Sequence, residues 1–419
     1  MSAPAGASGL WLLVGRVGGV AGALGGSQVL VGLTYVLAAR AITPATLGVI
    51  ATCFAIATIT ETVFDFGLTN YLVREAAAGR LDHRGALALV HAKRWFLLVL
   101  VGPTLVASLL IASDPVVGVL LGLVAPLVWE AGSANALLRA RELFSRAAGG
   151  QLTGRTAGLV TTAVLLAVGQ PGIALPAGLV VGFAGEAVVD WALLRETRAA
   201  PETTRMLWRA QRASTSFGLA ALAAMGQFLD TPLVALGGGA ADAGIYAGAG
   251  RLLGPLLFLS TALALVGLPW LARAGRDARQ LRREERRIAR LAAALALAPL
   301  LLALAGPAVI PLLLGEAYAA SGSAFAVLAV GAAFSTINQG MAVVLQNRGV
   351  EASVARAITV GLVLGLVVTY VLAVLGGPVW AAVGYTVSQL AMVLQLGVRI
   401  RTTRDLLPPE EDEDAPAGQ

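Results

Sequence analysis

Charge is scarce in this chain: only 13% of its 419 residues are Asp, Glu, Lys or Arg, against roughly 25% in an ordinary soluble domain. With 57% hydrophobic residues and a mean hydropathy of +0.80, no water-facing globular surface can be built from it. Aromatic residues make up just 6%. Cys53 is the only cysteine and lies in an apolar run, so disulfides within the chain are excluded and the redox compartment is unreadable. The two histidines, His83 and His91, sit beside a basic loop without the clustered carboxylates or thiols of a zinc site. Lys93 is the only lysine and follows Ala92, so the Gly-Lys-Ser/Thr of a Walker A loop is absent and ATP-driven transport by this chain is excluded. The longest arginine-rich connection, Arg195 to Arg212, is too short for a soluble catalytic domain.

What the chain does have is arginine in a fixed rhythm. Of its 30 Lys and Arg residues, 27 fall in six segments, Arg74–Arg94, Arg139–Arg155, Arg195–Arg212, Arg273–Arg290, Arg348–Arg356 and Arg399–Arg404, separated by stretches almost free of positive charge. Basic short loops stay cytoplasmic, so this alternation records a chain crossing a bilayer repeatedly. The net charge of +6 and pI near 10.1 then belong opposite anionic headgroups, not nucleic acid, and membrane lipids are the expected partners. Apolar runs long enough to span predict twelve transmembrane helices, at about 14–38, 45–66, 94–113, 116–137, 152–169, 174–194, 214–237, 243–269, 289–313, 322–346, 355–376 and 378–398. An even number puts both termini on one side, and Arg16 with Arg399, Arg401 and Arg404 makes that side the cytoplasm. Met1 to Ser8 carries no basic n-region and the apolar run after it is too long for a signal peptide, so no cleavage is expected. Residues 406–419, acidic and Pro-flanked, predict a disordered cytoplasmic tail.

The sequence Thr43-Pro-Ala-Thr-Leu-Gly-Val-Ile-Ala51 opening the second span pairs with Gly239-Ala-Ala-Asp-Ala-Gly-Ile-Tyr-Ala247 opening the eighth, and each follows a span with one glutamine, Gln28 or Gln227. Six helices separate the copies; an even number preserves orientation, so two halves, 1–213 and 214–405, are expected around an axis along the membrane normal. The stretch Leu37 to Gly48, Asp65-Phe-Gly-Leu68, Leu72-Val-Arg-Glu75, Asp230 with Gly244-Ile-Tyr-Ala247 and Arg251-Leu252, and Leu314-Gly-Glu-Ala-Tyr318 resemble polysaccharide-biosynthesis flippases of the multidrug/oligosaccharidyl-lipid/polysaccharide exporter superfamily. That resemblance covers nearly the whole chain. It implies an all-α membrane protein of two six-helix lobes around a cavity that opens alternately to each side, carrying a lipid-linked oligosaccharide on a polyprenyl diphosphate to the outer leaflet, alongside glycosyltransferases of the same pathway. It implies no cofactor, and coupling to H+ or Na+ is the energy source to test.

Ionisable residues inside spans are costly, roughly 2.5–3.5 kcal/mol at mid-bilayer, and mark function or pairing. Glu61 and Asp65, and Glu186 and Asp190, are each four apart on one helix face; with Glu130 and Asp230 they are ion-coupling candidates. The competing reading pairs the first-half carboxylates with the arginine belt, such as Arg94, Arg139 and Arg155. Polar residues at mid-membrane, Gln28, Gln227, Asn338, Gln339 and Gln389, suit sugar hydroxyls or helix-to-helix hydrogen bonds alike. Arg16 and Arg251 suit a diphosphate, because a guanidinium meets it bidentately. A hairpin apex near Ala240–Ala241 predicts instead that Arg251 faces Asp230 as a buried pair. Two rivals remain: an ion-coupled multidrug exporter of the same superfamily, and a membrane-embedded glycan polymerase or ligase, for which the outer loops are short.

Overall fold

The computed structural model describes residues 25–194, 204–257, 278–403 and four single positions, 260, 263, 267 and 271. Arg16 and the acidic segment 406–419 lie outside the described residues. Every regular element among the described residues is helical, as lipid requires of a chain that must satisfy its own backbone hydrogen bonds. They are α1 (Gly25–Ala39), α2 (Pro44–Asp65), α3 (Leu68–Ala77), α4 (His83–Arg94), α5 (Leu97–Ile111), α6 (Pro115–Gly122), α7 (Val124–Ala140), α8 (Phe144–Ala167) and α9 (Pro171–Leu194). After these come α10 (Thr204–Ala213), α11 (Thr215–Met225), a 3-10 turn (Gly226–Leu229), α12 (Asp230–Gly238), α13 (Ala240–Leu252), α14 (Ala278–Leu314), α15 (Ala319–Asn347) and α16 (Glu351–Thr402).

Among the described residues six helical stretches are long and apolar enough to cross a bilayer, seven if α4 and α5, bent by 46° against each other, count as one. Of the other expected spans, 152–169 falls mostly in the 24-residue α8, 214–237 is broken, and 14–38 and 243–269 run into residues outside the described ones. One of the six doubles back: at Gly377 α16 leaves helical geometry (φ 76°, ψ −160°) ahead of Pro378. Its two limbs then pack antiparallel, with Gly361 against Met392, Gly365 against Ser388 and Gly384 against Thr369, each pair equidistant along the chain from the Gly376–Gly377 turn. Leu98, Leu110, Leu236 and Leu304 are each more than three-quarters exposed, an apolar surface that only lipid would cover.

Local chemistry sets the helix ends. Thr43 accepts a hydrogen bond from the Thr46 amide and Pro44 takes the first helical position of α2. Asp114 caps α6 through the Val116 amide at 2.8 Å, again ahead of a proline. At its other end α2 stops in two successive left-handed residues, Phe66 (φ 45°) and Gly67 (φ 76°).

Helices α2 and α13 meet through the two copies of the repeated segment. A Cβ on Gly48 would strike the carbonyl oxygen of Ala240, and one on Gly244 would strike that of Pro44. Pro44 corresponds to Ala240 and Gly48 to Gly244 in the repeat, so the contact is self-complementary, as at a two-fold axis. Glycines α-helical on both sides let the backbones touch, the small-residue packing of membrane helices. Gly154 and Gly158 of α8 approach Gly178 and Gly182 of α9 in the same way.

Candidate functional site

The span expected at 214–237 is not one helix. Residues Gly226–Leu229 tighten into a 3-10 turn between α11 and α12, where Gly226 lets Leu362 of α16 pack close. Such a mid-span break is where membrane proteins build sites from otherwise saturated backbone. Here it presents Gln227 and Phe228 to a cavity of about 330 Å³, bordered also by Gln28 of α1, Asp230 and Thr231 of α12, Tyr246 and Arg251 of α13, Leu328 of α15 and Tyr385 of α16.

Among the described residues Arg251 makes no hydrogen bond or ion pair. Its guanidinium lies over three rings, 4.6 Å from the centroid of Phe54, 5.2 Å from Tyr35 and 5.8 Å from Phe228, contacts that stabilise the cation while leaving its five donors unspent. Asp230 is engaged elsewhere: the Tyr246 hydroxyl donates to Oδ2 at 2.7 Å, and the Thr231 amide and hydroxyl donate to Oδ1. The expected direct pair of Asp230 with Arg251 is therefore not formed, although both line one cavity. The cause is register. The hairpin turns at Gly239 (φ 90°), one to two residues earlier than the apex taken from the sequence, which moves the position level with Asp230 about three residues back from Arg251 and leaves the Tyr246 hydroxyl in reach of the carboxylate.

Of the other candidates, Gln28 reaches the cavity over Gly254, where a Cβ would lie 3.1 Å from its Oε1. Asn338 and Gln389 do not line it; Asn338 Nδ2 donates to the Gln389 carbonyl at 2.9 Å and to its Oε1 at 3.0 Å, tying α15 to α16. Gln339 is half-buried and also outside the cavity lining.

The carboxylates of the first half divide. Glu130 takes both arms of the Arg94 guanidinium at 2.6 Å and the Trp191 indole N–H at 3.1 Å. Arg155 lies 3.4 Å from Glu186 and 4.2 Å over the Phe183 ring. Arg139 makes no ion pair among the described residues, and its Nε is buried without a partner. Asp65 accepts from the Thr69 hydroxyl at 2.6 Å, and Glu61 from Thr62 at 3.4 Å. Asp190 is fully buried between Asn135, whose Nδ2 donates at 3.3 Å, and Gly150 of α8; its Oδ1 has no donor. Glu186 and Asp190 thus sit on one face of α9, two carboxylates with a single guanidinium, that of Arg155, paired to Glu186. Sequence spacing located these acids; the aromatic bed of Arg251 and the Tyr246 clasp were missed, because tyrosine and phenylalanine in a span carry no signal distinct from core packing.

A helical membrane protein with a broken-helix cavity at the seam of two repeated segments is the architecture of a transporter. A sequence profile of the polysaccharide biosynthesis protein family matches residues 36–323, and the chain belongs to that family. Its fold resembles an inward-facing multidrug resistance MATE family transporter of the MOP superfamily (TM-score 0.72, 15% identity, 90% of this chain and 95% of that one). It is equally like the lipid II flippase MurJ in an inward closed conformation (0.72, 12%, 91% and 87%), and also resembles a MOP superfamily transporter from Pyrococcus furiosus described as having a binding pocket of reversed polarity (0.61, 15%, 93% and 96%). No curated protein sequence matches significantly. The resemblance read from the sequence thus stands at the level of family and fold.

Proposed function

We propose that this protein is a flippase that moves a lipid-linked oligosaccharide, carried on a polyprenyl diphosphate, from the cytoplasmic to the outer leaflet by alternating access. Twelve helices form two six-helix lobes, 1–213 and 214–405, with both termini cytoplasmic, and the Gly48–Gly244 contact lies on the axis that relates the lobes. Arg251 carries the reading: a guanidinium with no direct ion pair among the described residues, stacked on three rings in a cavity with Gln28, Gln227 and Thr231, offers a fork for a diphosphate and amides and a hydroxyl for sugar. The family and the likeness to a lipid II flippase agree with it. Coupling to H+ or Na+ is assigned to Glu186 and Asp190, where one oxygen of each carboxylate, Glu186 Oε2 and Asp190 Oδ1, is buried without a hydrogen-bond donor. No chemistry on the cargo is required.

The test is flipping of a polyprenyl-diphosphate oligosaccharide by the full chain in liposomes. Arg251→Ala is expected to slow it at least about tenfold, the loss of one hydrogen bond to a charged group, and Arg251→Lys to recover only part, because lysine lacks the fork. Asp230, an acid in the same cavity, and the MATE likeness favour one rival, an ion-coupled exporter of cationic drugs. Drug extrusion abolished by Asp230→Asn, with no flipping by the wild type, would decide for it.

A further inference from the structure

Helix α14 is longer than a bilayer is thick. Its 37 residues make about 55 Å at about 1.5 Å each, against a hydrocarbon core of about 30 Å, so its arginine-rich first turns stand outside the lipid tails. There the charges are sorted by face. Leu281, Ile288 and Ala292 are buried, and at about 100° per residue Arg279, Arg283, Arg286 and Arg290, all exposed, fall within about 60° of one another on the opposite side. The two acids of these turns, Glu284 and Glu285, are buried and already paired: Arg287 holds the first at 2.6 Å, and Arg348 takes both oxygens of the second at 2.8 and 2.6 Å.

A purely basic stripe remains on the outside. Arg283, Arg286 and Arg290 make no ion pair among the described residues, and no carboxylate stands three or four positions from any of them; like charges so spaced on a helix repel one another. From Arg279 to Arg290 the stripe runs about 16 Å. Arg348 also ties down the end of α16, donating to the Ile400 carbonyl at 3.1 Å and the Thr403 hydroxyl at 3.2 Å, so the chain leaves α16 one guanidinium away from α14. Seven residues beyond Thr403 begins Glu410-Glu-Asp-Glu-Asp414, five successive acids that extend over about 17 Å. Seven residues reach about 24 Å, and half the girth of a helix about 10–12 Å across is about 16–19 Å. The acidic run can therefore be carried round from the buried face to the stripe, which it matches in length and opposes in charge.

We propose that residues 410–414 dock along the Arg279–Arg290 stripe of α14 as an intramolecular strap. The run supplies the anions that Glu284 and Glu285, committed elsewhere, do not. It fastens the end of α16 across α14 and withholds the covered arginines from anionic headgroups. A segment this acidic does not fold by itself, but a short tether gives it an effective concentration of about the millimolar range, at which several exposed ion pairs, each weak alone, hold it together. The strap is separate from the cargo cavity, so its test does not depend on flipping.

The full chain, in a Cys53→Ser background, carries Ala289→Cys, an exposed position beside the stripe, and Ala415→Cys, directly after the acidic run. The rate of disulfide formation between the two under copper phenanthroline is measured in detergent. Replacing the five acids by Gln and Asn is expected to slow it at least about tenfold, by removing the pairs that hold the tethered ends together. Raising salt from about 0.1 M to about 1 M, which shortens the Debye length from about 10 Å to about 3 Å, should slow the acidic tail alone. Arg283→Gln, Arg286→Gln and Arg290→Gln together should match the neutral tail, and combining both sets should slow the reaction no further. Equal rates for acidic and neutral tails would overturn the proposal. So would an advantage of the acidic tail that persists in phosphatidylcholine liposomes and vanishes in phosphatidylglycerol, since it would give the stripe to anionic headgroups.

Discussion

The Gly48–Gly244 contact supplies the sharpest prediction, because its geometry fixes both sign and size. A methyl at Gly48 would lie 2.7 Å from the Gly244 nitrogen, where ordinary contact begins at 3.4 Å, and nearer still to the Ala240 carbonyl. All of these are backbone atoms, so no side chain can rotate away and α2 must separate from α13. Overpacking of this kind costs about 1–3 kcal/mol. Helix propensity works the other way, since Gly→Ala in a helix stabilises by about 0.5–1 kcal/mol; any loss therefore reports the contact. In the proposed topology the contact closes the outer side. The cost then falls on the outward-closed state alone, and about 1–3 kcal/mol shifts the equilibrium about 5- to 150-fold toward opening. The assay places Ala247→Cys, a buried position on the cavity wall, in a Cys53→Ser background and follows labelling by an impermeant thiol reagent from outside. Gly48→Ala and Gly244→Ala should each accelerate labelling and lower the melting temperature. Unchanged labelling and melting in both variants would refute the close contact and the pseudo-symmetry argued from it.

Cysteines placed at Asp114, Gly172 and Glu316, in the same Cys53→Ser background, should react with that reagent in intact cells; reaction only after lysis would invert the orientation. A cargo with two negative charges leaving a negative interior gains about 4–5 kcal/mol per 100 mV, so flipping in liposomes should quicken with an interior-negative potential in the direction of export. Indifference to potential, with no cation moving alongside, would count against a diphosphate cargo. Outside the spans, Glu75 is hydrogen-bonded by Arg80 at 2.6 Å and by Arg74 at 2.9 Å, which pull its pKa down from 4.5 to about 2, the Arg80 bond contributing most. A carboxylate with a lowered folded pKa stabilises fully above its unfolded value. The melting-temperature gap between wild type and Glu75→Gln should therefore be widest above about pH 4.5 and close as pH falls toward 2; a gap independent of pH would show that the carboxylate's charge contributes nothing.

The sequence exposed whatever is written as a linear pattern. Apolar run length located the long apolar helices among the described residues, and the short match between Thr43–Ala51 and Gly239–Ala247 anticipated segments that the structure brings into contact at Gly48 and Gly244. Four-residue spacing placed Glu186 and Asp190 on one face, and the arginine belt named two true partners, Arg94 for Glu130 and Arg155 for Glu186. What stayed hidden depends on angles that a pattern does not encode. The 3-10 turn at Gly226–Leu229 lies inside an apolar run that reads as an unbroken span. Asn338 and Gln389, polar at mid-membrane, satisfy each other instead of a cavity, because amides on neighbouring helices find one another before water or cargo does.

The Asp230–Arg251 case shows how small an error separates a structural pair from a binding site. Shifting the hairpin turn from Ala240–Ala241 to Gly239 moves the position level with Asp230 about three residues back from Arg251, and Tyr246 comes within hydrogen-bond reach of the carboxylate. Tyr246 then satisfies the carboxylate with a neutral donor, and Arg251 is left without an ion pair among the described residues. Three aromatic faces hold that charge in place of a carboxylate. An aromatic bed stabilises a guanidinium without occupying its N–H groups, whereas an ion pair would have consumed them. The same register that denies Arg251 a permanent partner thus keeps it available to a transient anionic one.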